Sequence, residues 1–441
     1  MQQQTAKRPE SLLKNRAYLA LVGSQLISNL GDWLHILALL TLFGLKWQAT
    51  PWQITGATLC IMLPTLLGGP LAGMLADRVE RKKLMILSDG VRVILVLGMV
   101  FVQDIWQMYG LLVAKGLFDV IFSPAKSGKI KEIVERDQLD QAVSYSAIIE
   151  QGSKIVGPAL GGLLTAAFGI GACFLIDAGS FLLSGLLLIL VPGRRNGGTR
   201  MANERSDGAD QREGFWRELS AGMRTIAEIP VIAYGLLALA LVLLVLQIAD
   251  SQTVVLFREI PGIPEDLLGW CIALSGAGTL LAAGLVKLFR GFSPLAKMGA
   301  GGTVMGAVFA GAGLMAEYGP YGSAGHVLMA CTFFAAGLGA GMTFIPFQIE
   351  LQRRTPERLT GRVFGTVSSV TSAAALLGPV CGGYLVTTFG ASPAFLISGS
   401  LMGLTGLALL MLKQSIMKRD LKQAENMCNE GGAAGGAAVE S

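Results

Sequence analysis

Apolar residues run along this chain in long stretches, separated by short polar segments that carry most of the charge. A helix rises ~1.5 Å per residue and needs about 20 apolar residues to cross the hydrocarbon core of a bilayer. Stretches of that kind fall at 17–45, 53–76, 84–104, 107–127, 141–168, 170–191, 229–257, 266–289, 295–317, 321–349, 361–388 and 391–413. Several contain an internal proline (Pro64, Pro70, Pro158, Pro346, Pro379). Membrane helices tolerate this where neighbouring helices or water satisfy the freed backbone groups. The pattern predicts an all-α membrane protein with twelve transmembrane helices. The polar, basic start is followed by an apolar run with no small-residue cleavage site, so that run is read as a retained first span rather than a signal peptide.

Charge gives the pattern an orientation. All but five of the 35 Lys and Arg residues lie in one set of alternate segments, which includes both termini. The exceptions are Lys46 and Arg258 in the opposite loops, and Arg92, Lys115 and Lys154 inside spans. The excess of Lys and Arg on cytoplasmic loops then places both termini in the cytoplasm of a multi-pass cell (inner) membrane protein. Composition agrees: 52% of residues are hydrophobic and 15% charged, against roughly 25% charged in a soluble domain. The net charge of +5 is spread over these loops, which marks topology and not a nucleic-acid surface. Cys60, Cys173, Cys271, Cys331, Cys381 and Cys428 show no paired spacing, and five of them sit in apolar runs, so they read as packing residues.

The chain divides into a half at 1–191, a polar cytoplasmic linker at 192–224, a second half at 225–413 and a tail at 414–441. An interfacial helix is expected around Phe215 to Leu219, and disorder at the Gly/Ala-rich end. The halves resemble each other. GPALGGLLTAAFG at 157–169 matches GPVCGGYLVTTFG at 378–390, and FSPAK at 122–126 faces FIPFQ at 344–348. Asp32 and Asp250 also stand in corresponding spans. Letter matching sets Lys115 and Asp119 opposite Gly337 and Gly341, and Glu150 and Lys154 opposite Thr371 and Ala375, so the central charges belong to the first half alone. Two six-helix pseudo-repeats suit a transporter with a midplane site.

Ionisable residues inside a span are costly and mark function by default. Asp32, Lys115, Asp119, Glu150 and Lys154 lie near mid-span. Asp89 and Arg92 lie in span 3, and Asp177 lies in span 6. Lys115/Asp119 and Glu150/Lys154 are four apart and Asp89/Arg92 three apart, so each pair shares a helix face. The pairs on spans 4 and 5 are expected to form one network, with Glu150 or Asp119 taking up a coupled proton and Asp32, near Asn29 and His35, as a third candidate.

GMLADRVERKK at 73–83 resembles the signature loop of the major facilitator superfamily. The resemblance implies a conformational latch at Gly73, Asp77, Arg78 and Arg81, with Asp89 and Arg92 behind it. Gly73 is expected to let the span ends pack closely. Glu80 stands where the family has glycine. GPALGG on span 5 resembles the superfamily's antiporter signature, with Gly157 and Pro158 bending the span and Gly161 and Gly162 giving a smooth face. The run from Gly116 to FLIDAGSFLLSG, and TPERLTGRVFG before span 11, resemble the drug–proton antiporter branch that includes macrolide-efflux and siderophore-export proteins. What this implies is the major facilitator fold and proton-coupled efflux of a small amphipathic compound by alternating access. The cavity would be lined by spans 1, 4, 7 and 10, with Gln25, Asn29, Gln247, Asp250, Gln252 and Gln348 as polar contributors. FSPAK also resembles lysophospholipid transporters, which keeps a lipid flippase as the alternative, and a non-transporting membrane sensor stands behind both. There is no Walker loop, no metal-ligand cluster and no catalytic constellation, so neither an enzyme nor a cofactor is expected. The expected partners are a small-molecule or lipid substrate, protons and membrane lipid, without nucleic acid, for a monomeric chain.

Overall fold

A computed structural model describes residues 12–135, 138–193, 226, 229–264, 267–288, 291–319, 322–355 and 360–437. Among them there is no strand. The helices are α1 (Arg16–Thr41, prolonged by a π-turn at Leu42–Lys46), α2 (Pro51–Arg78), α3 (Arg81–Val100) and α4 (Ile105–Ile133). A continuous stretch, Leu139–Ile189, breaks at Gly169 into α5 (139–168) and α6 (170–189). Then come α7 (Pro230–Glu259), α8 (Leu267–Leu288), α9 (Pro294–Tyr318), α10 (Ser323–Arg354), α11 (Thr360–Phe389) and α12 (Ala391–Ala437). Nine stretches among the described residues are long and apolar enough to cross a membrane, one of them running through the Gly169 break. α3 is not among them; its 20 residues carry Arg81, Lys82, Lys83, Asp89 and Arg92. The expected 192–224 linker and its interfacial helix lie outside the described residues from 194 onward. The backbone of α12 is helical to Ala437, through the Gly/Ala-rich stretch for which disorder was expected.

Local chemistry starts these helices where the sequence changes character. Asn15 accepts from the amides of Ala17 and Tyr18 at the start of α1. Thr50 and Gln53 form a capping box ahead of Pro51, and Ser293 caps α9 ahead of Pro294. Each satisfies amides that the first helical turn leaves open. The turns between α5 and α6 and between α11 and α12 are single glycines. Gly169 has φ 77° and Gly390 φ 88°, a backbone that L side chains rarely adopt. These two glycines end the two matched blocks of the repeat, so the duplication is visible in the backbone as well as in the letters.

The described helices form two compact units. One contains α1–α6 with α8 up to Ala273, the other α7, the rest of α8 and α9–α12. In the first unit, Tyr18, Leu21, Leu84, Met85, Phe122, Ala125 and Ile130 pack into an apolar cluster at the end where α1 begins and α2 stops. Tyr18 Oη donates to Ala142 O (2.8 Å) and Asn15 Nδ2 to Ile133 O (3.0 Å), tying α1 to α5 and α4 there. The second unit has a cluster at its corresponding end, around Leu236, Met298, Phe347, Leu351 and Val363.

The packing changes one alignment. Gly116 on α4 sits against Pro64 and the Ile61 carbonyl of α2, and Gly68 of α2 faces Val120. In the second unit Gly337 sits against Ser275 and Gly341 against Thr279 and Ala282 of α8. The spatial counterparts are therefore Gly116/Gly337 and Val120/Gly341. Lys115 and Asp119 fall opposite Ala336 and Ala340, one residue from the letter match through FSPAK. That match aligns two prolines, whereas helix packing is set by the small residues in the groove. Lys115 and Asp119 still lack ionisable counterparts.

Candidate functional site

α1, α3 and α4 each carry one or two ionisable residues on the face turned toward the others. Lys115 Nζ lies 2.8 Å from Asp32 Oδ1 on α1 and 3.0 Å from Asp119 Oδ2 one turn along α4. Arg92 on α3 bonds Asp89 Oδ1 through Nη2 at 2.7 Å, and its Nη1 lies 3.3 Å from Asp119 Oδ1. Ser184 on α6 donates to the other Asp89 oxygen at 2.7 Å. A continuous chain of alternating charge, Asp89–Arg92–Asp119–Lys115–Asp32, thus links three helices. The Arg92 guanidinium also lies over the rings of Phe122 and Phe181, 4.6 and 4.5 Å from their centroids, each such contact contributing about 0.5–2 kcal/mol.

The carboxylates and cations differ in access. The Asp32 and Asp119 side chains are 34% and 29% exposed, Lys115 and Arg92 8% and 4%. All four line a cavity of about 390 Å³ inside the first unit, the two carboxylates more exposed than the two cations. The cavity is bounded by Asn29, Asp32 and His35 of α1, Ile61 of α2, Arg92 of α3, Lys115 to Lys126 of α4, and Glu150 and Ser153 of α5. Its size is in the range of small-molecule sites.

The residues singled out in the sequence are distributed as follows. The Lys115/Asp119 pair is present, and so is Asp89/Arg92, but both belong to one cluster with Asp32. Among the described residues a network joins α1, α3 and α4; the one expected between spans 4 and 5 turns on Lys154. Glu150 is exposed and lines the cavity near Lys126 of α4; the Lys154 side chain lies outside the described residues. Gln25 lines the cavity, but its amide is engaged: Nε2 donates to Ser146 O (3.2 Å) and Oε1 accepts from Ser146 Oγ (2.7 Å), so it ties α1 to α5. In the second unit Gln252 is buried, Gln247 and Gln348 are half-buried, and Asp250 is exposed.

In the latch segment Arg81 bonds Glu132 (2.9 Å) and the Gly128 carbonyl (3.1 Å) of α4, Lys83 pairs with Glu80 at 3.0 Å, and Arg78 is exposed. The Asp77 side chain lies outside the described residues. Gly73 does not serve close packing: a Cβ built there meets nothing within 4 Å, because α2 leaves open space on that side. The span-5 glycines do. A Cβ at Gly157 would run into Trp33, one at Gly161 into Leu37, and one at Gly162 into the backbone at Gly269 and Ala273. Pro158 lies inside the helix between them. Gly378 and Gly382 repeat the arrangement in the second unit, against Leu244, Gln247 and Ile248 of α7.

One pairing had no signal in the spacing. His35 Nδ1 lies 3.3 Å from Asp177 Oδ2 on α6, with both side chains buried. Residues 142 apart in sequence meet only because α1 packs along the kinked α5–α6 pair. Two buried ionisable residues within apolar runs were the available hint.

A family model described as Major Facilitator Superfamily matches residues 21–375 and 257–426. The MFS-type transporter YfiS of Bacillus subtilis (strain 168) is 40% identical over 399 residues, covering 90% of this chain and 94% of that protein. Macrolide efflux protein A of Streptococcus pyogenes is 25% identical over 389 residues, covering 83% and 90%. Among solved structures, the nucleoside transporter NupG aligns with a TM-score of 0.64 at 14% identity over 90% of this chain and 98% of that one. A bacterial homologue of the human lysosomal transporter Spinster, in an inward-facing conformation, aligns with 0.58 at 13% identity over 93% and 98%.

Proposed function

The chain belongs to the Major Facilitator Superfamily, and we propose that this multi-pass membrane transporter exports a small amphipathic compound (a drug, antibiotic or siderophore) in exchange for protons. The observation that carries the reading is the shared cation: Lys115, itself almost enclosed, bridges Asp32 and Asp119, two more exposed carboxylates of the same cavity wall. Protonating either carboxylate releases its hold on Lys115, and the ammonium then belongs to the other. A substrate with a polar or cationic group competes with the proton for the same oxygens. That competition makes loading by one ligand favour loss of the other, which is what an exchanger requires. Asp119 touches both Lys115 and Arg92 and is the group best connected to carry the signal. Arg81 with Glu132 serves as the latch that holds one conformation, and the α5 glycines let α1 and α5 stay in close contact as the cavity changes access. The likeness to a protein named for macrolide efflux supports export and this substrate class. The basic-loop pattern supports an inner-membrane location with both termini cytoplasmic.

A lysophospholipid reading keeps one supporting observation. Lys126 of FSPAK lines the same cavity beside Ser123, where an ammonium suits an anionic headgroup. Purified full-length protein in proteoliposomes, under an imposed pH gradient, tests both. Erythromycin, a catechol siderophore and a lysophospholipid are offered in turn while internal pH is followed. Erythromycin or siderophore movement coupled to opposite proton movement, lost in Asp119→Asn, is expected. Lipid movement indifferent to the gradient favours the flippase. Unchanged proton flux in both Asp119→Asn and Glu150→Gln, or no transport of any compound under either gradient, sinks the coupled-exporter reading.

A further inference from the structure

Imidazole is the side chain whose charge changes most readily near physiological pH, and a buried carboxylate without compensation is costly. His35 and Asp177 join these two properties in one place. Their side chains are 3% and 0% exposed, with Nδ1 and Oδ2 3.3 Å apart. Neither imidazole nitrogen nor Asp177 Oδ2 has a partner in hydrogen-bond geometry among the described residues. The other Asp177 oxygen accepts from Ser180 at 3.4 Å. Gly31 leaves no room for a Cβ against Ser180 and Asp177, so α1 and α6 hold the pair together. His35 is also part of the cavity wall.

The surroundings are short of positive charge. Four carboxylates, Asp89 and Asp177 buried and Asp32 and Asp119 partly open to the cavity, lie around two cations, Arg92 and Lys115. Asp177 is within electrostatic reach of both Asp32 and Lys115. With every carboxylate ionised and a neutral imidazole, two negative charges would be left uncompensated inside the membrane span. Two protons restore neutrality. One belongs on the Asp32–Asp119 pair, and the second has a place ready on His35.

We propose that His35 and Asp177 form a second proton-carrying station beside the central cluster, so that the transporter exchanges two protons per cycle. This rests on the proton-coupled reading above. Both His35 nitrogens are enclosed in this structure, so in the loading step the cavity wall opens at His35, a proton from cavity water binds the free nitrogen of the neutral ring, whose other N–H faces Asp177, and an imidazolium–carboxylate pair results. In release the same N–H bond breaks and the proton returns to cavity water. Around the cavity His35 meets Asp32 on its own helix, Arg92 on α3, Lys115, Asp119 and Lys126 on α4 and Glu150 on α5, with Asp177 on α6 as its direct partner. Asp89 stands behind Arg92.

The chain has two histidines, His35 and His326, so the station can be read directly. Full-length protein with nitrogen-15 histidine, in lipid bilayers, gives two imidazole signals that His35→Gln assigns. At mildly acidic pH the His35 signal is expected to be imidazolium. In Asp177→Asn it becomes neutral imidazole at the same pH, and Asp177→Glu restores it, with His326 unchanged throughout. A His35 that stays neutral in the wild type, or is indifferent to Asp177→Asn, overturns the proposal. Proton counting by reversal potential in proteoliposomes, with erythromycin as substrate, supplies a second variant. His35→Gln is expected to halve the protons moved per substrate, and an unchanged count overturns the station alone. Erythromycin movement without any proton movement in the wild type overturns the coupled reading itself.

Discussion

Lys115 holds two carboxylates on different helices, and its side chain is almost wholly enclosed. Removing one member of a buried ionic group leaves its partners charged and unsatisfied, which costs about 3–5 kcal/mol. Lys115→Met is therefore expected to lower the thermal unfolding temperature of the purified protein markedly. Lys115→Met with Asp119→Asn should lie closer to wild type than Lys115→Met alone, because the second change removes one orphaned charge. A double variant as unstable as the sum of its singles would show that the two residues do not act as a unit. Arg92 differs in kind from Lys115. Its flat guanidinium fits between Phe122 and Phe181 while its two ends reach Asp89 and Asp119, a role that a lysine's point charge does not fill.

At the scale of the helix, glycines that look alike in the sequence do different things. Gly157 faces the Trp33 indole with no space for a methyl group, and Gly161 faces Leu37. Gly73 faces open space. Gly73→Ala is expected to leave transport intact and to raise stability slightly, by about 0.5–1 kcal/mol, through helix propensity. Gly157→Val is expected to push α1 from α5, lowering both the unfolding temperature and transport. Erythromycin transport and thermal unfolding of the two variants check this together; a Gly73→Ala variant that folds but does not transport would mean that close packing at this position belongs to another conformation. The second unit uses the same device more widely. Gly299, Gly306, Gly399 and Gly406 bring α9 and α12 into backbone contact, as expected where apolar surface gives no net drive in lipid and close van der Waals fit takes its place.

At the scale of the molecule, the two units share a helix order, paired glycine corners and α1/α5-type packing, yet ionise differently. The first encloses the charged cavity, and the positions opposite Lys115 and Asp119 in the second are alanines. Duplication preserved the packing grooves and left the Lys115–Asp119 pair to one half. The basic loops predict the orientation of the whole. Green fluorescent protein fused after Ser441 is expected to fluoresce, and alkaline phosphatase placed at Gly262, in the turn after α7, to be active. The opposite pattern would reverse the topology.

The all-helical membrane character, the family and the position of most helices are legible in the order of residues alone. Those follow from local quantities: runs of apolar residues long enough for a bilayer, caps such as Thr50 and Ser293, and glycine corners at 169 and 390. It also named Asp32, Asp89, Arg92, Lys115 and Asp119, since a charge in an apolar run stands out. Which charges meet is a matter of how the helices pack. Spacing along one helix shows Lys115 with Asp119, but whether Lys115 also reaches Asp32, or His35 reaches Asp177, depends on how α1 rotates against α4 and α6. That rotation is set by glycines and by Trp33 and Leu37 in the groove. The side that Gly73 presents to open space is likewise a property of packed helices, because one strand of letters carries no record of what lies across from it.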